Sequence, residues 1–246
     1  MASKLSGLAK RRKKQVAYPN SPLVEVVFEI RFSGEPAVEC RRDEFFRLIR
    51  KDFPTVWVPS VEVGQSVALQ PYHFKSADGA ETVMIAMNRF AYATRRYTGF
   101  EHFCPRALRL VQPFCSHYGI QKLNRTGLRY INLIPFVRED GAIPWRRHFT
   151  IEGNLPETSP NDLLNINLAY ETRCKAGVIT TRITCGRSAN DGREGFVLDF
   201  DFAKTGALNA SALKTYMAES HDYTKRVFEG IVCDDYRAVM RGKVIS

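Results

Sequence analysis

An α+β fold with a largely antiparallel sheet is what this sequence predicts, and three observations point to it. Residues 21–32 alternate, with Val24, Val26, Phe28, Ile30 and Phe32 on one side and Glu25, Glu29 and Arg31 on the other. That is the period-2 pattern of a strand with one apolar and one wet face. Strand-like runs then follow one another with helical stretches between the runs, not in strict β-α-β order. Finally, turn-rich separators join many of these runs, which favours hairpins and antiparallel pairing.

The elements follow in order. Residues 1–17 are short of apolar side chains and carry Lys4, Lys10, Arg11, Arg12, Lys13 and Lys14 with no acid, so they read as a disordered basic arm. Tyr18-Pro19-Asn20-Ser21-Pro22 leads stiffly into the first strand. The folded part is therefore 18–246, as one domain or as two subdomains meeting near 138–147. Gly34-Glu35-Pro36 marks a turn. Over 42–53 the positions Phe45, Leu48, Ile49 and Phe53 make a helical stripe that Pro54 stops. Residues 67–74 and 82–97 read as strands joined across Ser76-Ala77-Asp78-Gly79. A helix over 107–118 follows, with Pro105 at its start, Pro113 implying a kink and Gly119 closing it. Residues 122–137 form a second long strand candidate, and 148–153, 163–172, 178–185 and 195–202 form shorter ones. The chain ends helically over 211–241, broken near Ser220-His221-Asp222. Two long strands, each leading a run of others, also fit a diverged duplication.

With 246 residues, 44% hydrophobic and 25% charged, the chain can bury a sizeable core. It has neither an 18-residue apolar run nor an apolar stretch behind the basic N-terminus, so a cytoplasmic protein without a membrane partner is expected. Six scattered cysteines without a C-x-x-C pair read as reduced thiols.

The net charge of +10 is unevenly placed. Beyond the arm, residues 89–129 hold Arg89, Arg95, Arg96, Arg106, Arg109, Lys122, Arg125 and Arg129 against Glu101 alone. DNA or RNA is the partner such clustering suggests. Aromatics interleave these arginines, from Phe90, Tyr92 and Tyr97 to Tyr118 and Tyr130. A sheet presenting both would contact phosphates and stack on unpaired bases. The same alternation also fits aromatics in the core and arginines outside it.

Asp199 and Asp201 would project from one face of a strand, a spacing that can hold Mg²⁺ for phosphoryl transfer, though no third ligand or phosphate loop accompanies them. His102-x-Cys104 and Cys115-x-His117 resemble a zinc set, but on one helix the two cysteines would lie about 16 Å apart. No nucleophile elbow, Walker loop or dinucleotide fingerprint occurs, so neither a catalytic residue nor a cofactor is predicted.

Three segments together resemble a sporadically distributed family of uncharacterised bacterial proteins: residues 20–32, Gly127-Leu128-Arg129-Tyr130-Ile131-Asn132, and Val197-Leu198-Asp199-Phe200-Asp201. That family begins with a Pro-Pro-x-x-Glu-Val-Val strand and carries Arg-Tyr-Ile-Asn at mid-chain; here Ser21 replaces the first proline. The resemblance spans nearly everything after the arm and implies no catalytic residue. Its patchy distribution implies a defence or mobile-element setting.

Three readings follow. One is a non-enzymatic accessory protein contacting nucleic acid through Lys10, Arg11, Arg12, Lys13 and Lys14 and through Arg89, Arg95, Arg96, Arg125 and Arg129. Another is a Mg²⁺-dependent nuclease or nucleotide-processing enzyme using Asp199 and Asp201. The last is an antitoxin-like interaction module that binds a protein from a neighbouring gene and ignores nucleic acid.

Overall fold

The computed structural model describes residues 18–58, 71–151, 163–188 and 191–243. The arm residues Lys10–Lys14 therefore lie outside the described residues.

A nine-stranded antiparallel sheet organises the chain. β1 (Leu23–Arg31) is followed by helices α1 (Pro36–Cys40) and α2 (Arg42–Ile49), then by β2 (Thr55–Trp57), β3 (Tyr72–Lys75), β4 (Glu81–Ala86) and β5 (Arg89–Thr94). Helix α3 (Phe100–His117) leads to the long strand β6 (Lys122–Pro135). A 3-10 turn at Trp145–Arg147 precedes β7 (Asn167–Cys174), β8 (Gly177–Arg187) and β9 (Glu194–Asn209), and α4 (Leu213–Ile231) and α5 (Asp234–Met240) end the chain. The strand order is β2-β3-β4-β5-β1-β6-β9-β8-β7.

Alternation decides which face each strand buries. Val26, Phe28 and Ile30 on β1, Phe90 and Tyr92 on β5, Leu128 and Tyr130 on β6, and Phe196, Leu198, Phe200 and Phe202 on β9 all lie in the core. The helices cover this one face. Phe45 of α2 meets Phe74, Phe90 and Phe114 edge-on, and Tyr216 of α4 packs on Phe202 while its hydroxyl reaches the carbonyls of Thr126 and Phe202. Burying aromatic side chains of this size is each worth about 2–3 kcal/mol, so this face supplies most of the driving force.

Around the central β1–β6 pair the order is nearly palindromic: β5, β4 and β3 flank one side and β9, β8 and β7 the other. Each half starts with its central strand and ends with a helix, α3 or α4, as a diverged duplication does. Phe28 faces Leu128 across the pair. Matching these two places Arg129 where β1 has Glu29, and the registers of the neighbouring strands place Asp199 where β5 has Arg89. The ion pairs Glu29–Arg89 and Arg129–Asp199 thus occupy equivalent diagonals with their charges exchanged. Exchange of both partners preserves the attraction while erasing the residue-level repeat.

Several expectations are corrected. Val24 is exposed instead of buried, because the register shifts between Leu23 and Glu25 and re-aims it. Residues 82–97 are not one strand but the hairpin β4–β5, turning at Met87-Asn88. Helix α3 begins at Phe100, ahead of Pro105, and runs through Pro113. Both prolines are exposed, so water can satisfy the carbonyls they leave free. Gly119, at φ +66°, then ends the helix by letting the Ile120 amide return to the Cys115 carbonyl at 2.8 Å. Helix α4 runs unbroken through residues 220–222, because the buried Ser220 hydroxyl bonds back to the Tyr216 carbonyl and His221 stacks on Phe100. Residues 148–151 form no strand; Phe149 makes an isolated bridge to Val232. The predicted run 67–74 falls largely outside the described residues, as does the end of 148–153.

Candidate functional site

The opposite face of the sheet has no helix of the described residues over it. Alternation sends Glu25, Glu29 and Arg31 of β1 to this open face, together with Arg125 and Arg129 of β6 and Asp199 and Asp201 of β9. Arg89 of β5 and Arg182 of β8 complete a lattice of ion pairs.

Two carboxylates are its hubs. Glu29 holds Arg31 at 2.8 Å, Arg125 at 3.0 Å and Arg89 at 3.7 Å. Asp199 takes a bidentate pair from Arg129, Nε at 2.7 Å and Nη2 at 2.8 Å, and Arg182 approaches at 3.4 Å. Arg125 also bonds Asp201 at 2.8 Å, joining the two hubs. Its guanidinium lies over Gly127, where a Cβ would stand 2.7 Å from Nη1; only glycine leaves that space. Asp199 is only 7% exposed, and its pair holds the Arg129 guanidinium above its ordinary pKa. Fixed opposite charges at this distance favour the ionised forms.

The lattice decides two of the sequence expectations. Arg89, Arg95, Arg125 and Arg129 share the open face, but each is paired with a carboxylate, Arg95 with Glu25 at 3.7 Å. Arg96 points elsewhere, to Asp78 at the β3–β4 turn, at 2.5 Å. The aromatics expected to stack on bases are on the wrong side: Phe90, Tyr92, Phe103, Phe114, Tyr118 and Tyr130 are all buried beneath the helices. The alternation that gathers the arginines is what removes the rings from them. Arg106 belongs to the helix side too, where it pairs with Asp52 and Glu81.

Asp199 and Asp201 do project from one face, as their spacing requires, yet guanidinium groups already occupy them. A Mg²⁺ ion there would have to displace Arg125 and Arg129 and meet their charges, which argues against the metal reading. His102, Cys104, Cys115 and His117 all lie on α3, too far apart along it to share one zinc. Burial pushes the Cys115 thiol up to about 12, a packed group and not a nucleophile.

Sequence reasoning missed a second cluster on the same face. Beside the β7–β8 hairpin a groove of about 520 Å³ is lined by Arg125, Arg173, Lys175, Arg182 and Lys204, with Glu171 and Asp201 as its acids. Arg173, Lys175 and Lys204 have no carboxylate partner among the described residues. Gly177 shapes the hairpin: a Cβ there would stand 2.4 Å from the Ala203 carbonyl oxygen. The signal in the sequence was Arg173-Cys174-Lys175, two cations bracketing a tight turn, but it is short and lies outside the basic stretch at 89–129.

The arm's attachment is also visible. Tyr18 donates to Glu229 of α4 at 2.8 Å and Asn20 bonds to α5, so the described chain starts against the helix layer and not on the open face. No helix among the described residues is long and apolar enough to cross a membrane. No protein-family model matches this chain, and no curated protein matches it either.

Proposed function

We propose that the protein is a non-enzymatic binding protein that holds nucleic acid against the open face of its sheet. The observation that carries this reading is an uncovered nine-stranded face with more cations than carboxylates. Lys75, Arg31, Arg89, Arg95, Arg125, Arg129, Arg173 and Arg182 stand on it against Glu25, Glu29, Glu171, Asp199 and Asp201. Because the central arginines are spent on carboxylates, binding rests on the excess and on the separate basic arm. The mode is backbone contact without base stacking, which gives little sequence preference. A defence or mobile-element setting, with a partner protein from a neighbouring gene, is compatible with this reading and comes from the family resemblance alone.

Fluorescence anisotropy of a labelled single-stranded oligonucleotide, titrated with the full chain across salt concentrations, tests it. Log affinity should fall linearly with log salt. After residues 1–15 are removed the slope should settle at roughly −2, since three uncompensated cations contribute about 0.7 each on a single strand. No binding at low salt would overturn the reading.

A further inference from the structure

We infer that the groove beside the β7–β8 hairpin is a phosphate-binding site that anchors the nucleic acid; this rests on the reading above and gives it a location. Four features lead there. Arg173, Lys175 and Lys204 are cations without carboxylate partners among the described residues, whereas the arginines at the centre of the sheet are all paired. Arg125 and Arg182 enter the groove already held by Asp201 and Asp199, so their guanidinium groups are in place before a ligand arrives. Such pre-ordering removes part of the entropic cost of binding. The volume of about 520 Å³ suits one nucleotide with its phosphate and exceeds what a bare carboxylate would fill. Five cations against Glu171 and Asp201 leave an excess that a doubly charged, tetrahedral group with several acceptor oxygens matches.

The shared chemistry is a phosphate group, from a backbone diester or from a terminal monoester. The two sources differ in charge and separate experimentally. Arg173→Ala/Lys175→Ala is the informative variant, because both side chains are exposed on the hairpin and neither supports the core. Lys51→Ala/Lys214→Ala, exposed positions on helix-layer segments, is the control.

Two titrations of the full chain test the inference. In the first, a labelled oligonucleotide with a 5′-phosphate is compared with the same strand ending in a 5′-hydroxyl. The groove variant should bind at least about tenfold more weakly, and its salt slope should flatten by about two, one per lost phosphate contact. The control should match the parent. A groove effect that vanishes with the 5′-hydroxyl strand assigns the site to a terminal monoester; one that persists assigns it to the diester backbone. In the second, adenosine monophosphate is titrated by calorimetry, with saturable binding expected that the groove variant loses. Equal binding of the oligonucleotide by parent and groove variant would overturn the groove while leaving the open-face reading intact. If the parent binds no oligonucleotide but takes up adenosine monophosphate through Arg173 and Lys175, the open-face reading falls and the phosphate site stands.

Discussion

Arg129 and Asp199 form the best-made ion pair on the open face, and their unequal burial sets how each should respond to truncation. Arg129 is 46% exposed at its side chain and Asp199 only 7%. Removing the arginine leaves a nearly buried carboxylate with only the more distant Arg182, while removing the acid leaves two half-exposed guanidinium groups that water can solvate. Arg129→Ala should therefore cost about 2–4 kcal/mol and Asp199→Asn about 1–2 kcal/mol, read from urea unfolding midpoints. His221 offers a second test at this scale. Its Nδ1 lies 2.7 Å from the Tyr130 hydroxyl, and burial, aided by Lys225, holds its pKa down at about 4. The unfolded chain then takes a proton first as pH falls, so stability should drop between about 6.5 and about 4. His221→Gln should flatten that part of a plot of melting temperature against pH. An unchanged slope would show that the acid sensitivity arises elsewhere, with His73 as the next group to examine, since burial holds it at about 4 as well. None of this was legible in the sequence, where His221 sits among residues that read as a helix break.

At the scale of elements, the sequence is most readable where a strand has one wet face. The alternation of β1 and the Phe196–Phe202 run of β9 name their buried residues correctly, apart from Val24 at the register shift. It is least readable where local rules are overridden by context. The prolines of α3 and the Ser-His-Asp stretch of α4 both look like interruptions, and solvent exposure in one case and a back-bonded serine in the other make them harmless. The open face was half legible: the pattern put Arg125 and Arg129 opposite the buried aromatics, but only the β6–β9 register shows that Asp199 and Asp201 neutralise them. The β7–β8 hairpin depends on a single glycine. Gly177→Ala would drive a methyl group into the Ala203 carbonyl and against the Phe202 ring, so it should lower stability by about 1–3 kcal/mol. It should also widen the groove enough to weaken oligonucleotide binding. A melting temperature equal to the parent's would show that the hairpin yields without strain.

For the molecule as a whole, the near-palindromic sheet explains how one chain carries two such different surfaces. Two related halves join through β1 and β6, their helices fall on one side, and their polar positions form a continuous face on the other. That division makes the central claim testable without altering a residue. Lysines on or beside the open face, Lys75, Lys175 and Lys204, can be set against Lys51, Lys214 and Lys225 of the helix-layer segments. The measurement is acetylation of the full chain by a limiting reagent, with and without a saturating single-stranded oligonucleotide, read lysine by lysine by mass spectrometry. The account predicts that the oligonucleotide protects Lys175 most, then Lys204 and Lys75, and leaves Lys51, Lys214 and Lys225 unchanged. Protection confined to the helix-layer lysines would contradict it and move the binding surface to the other side of the protein.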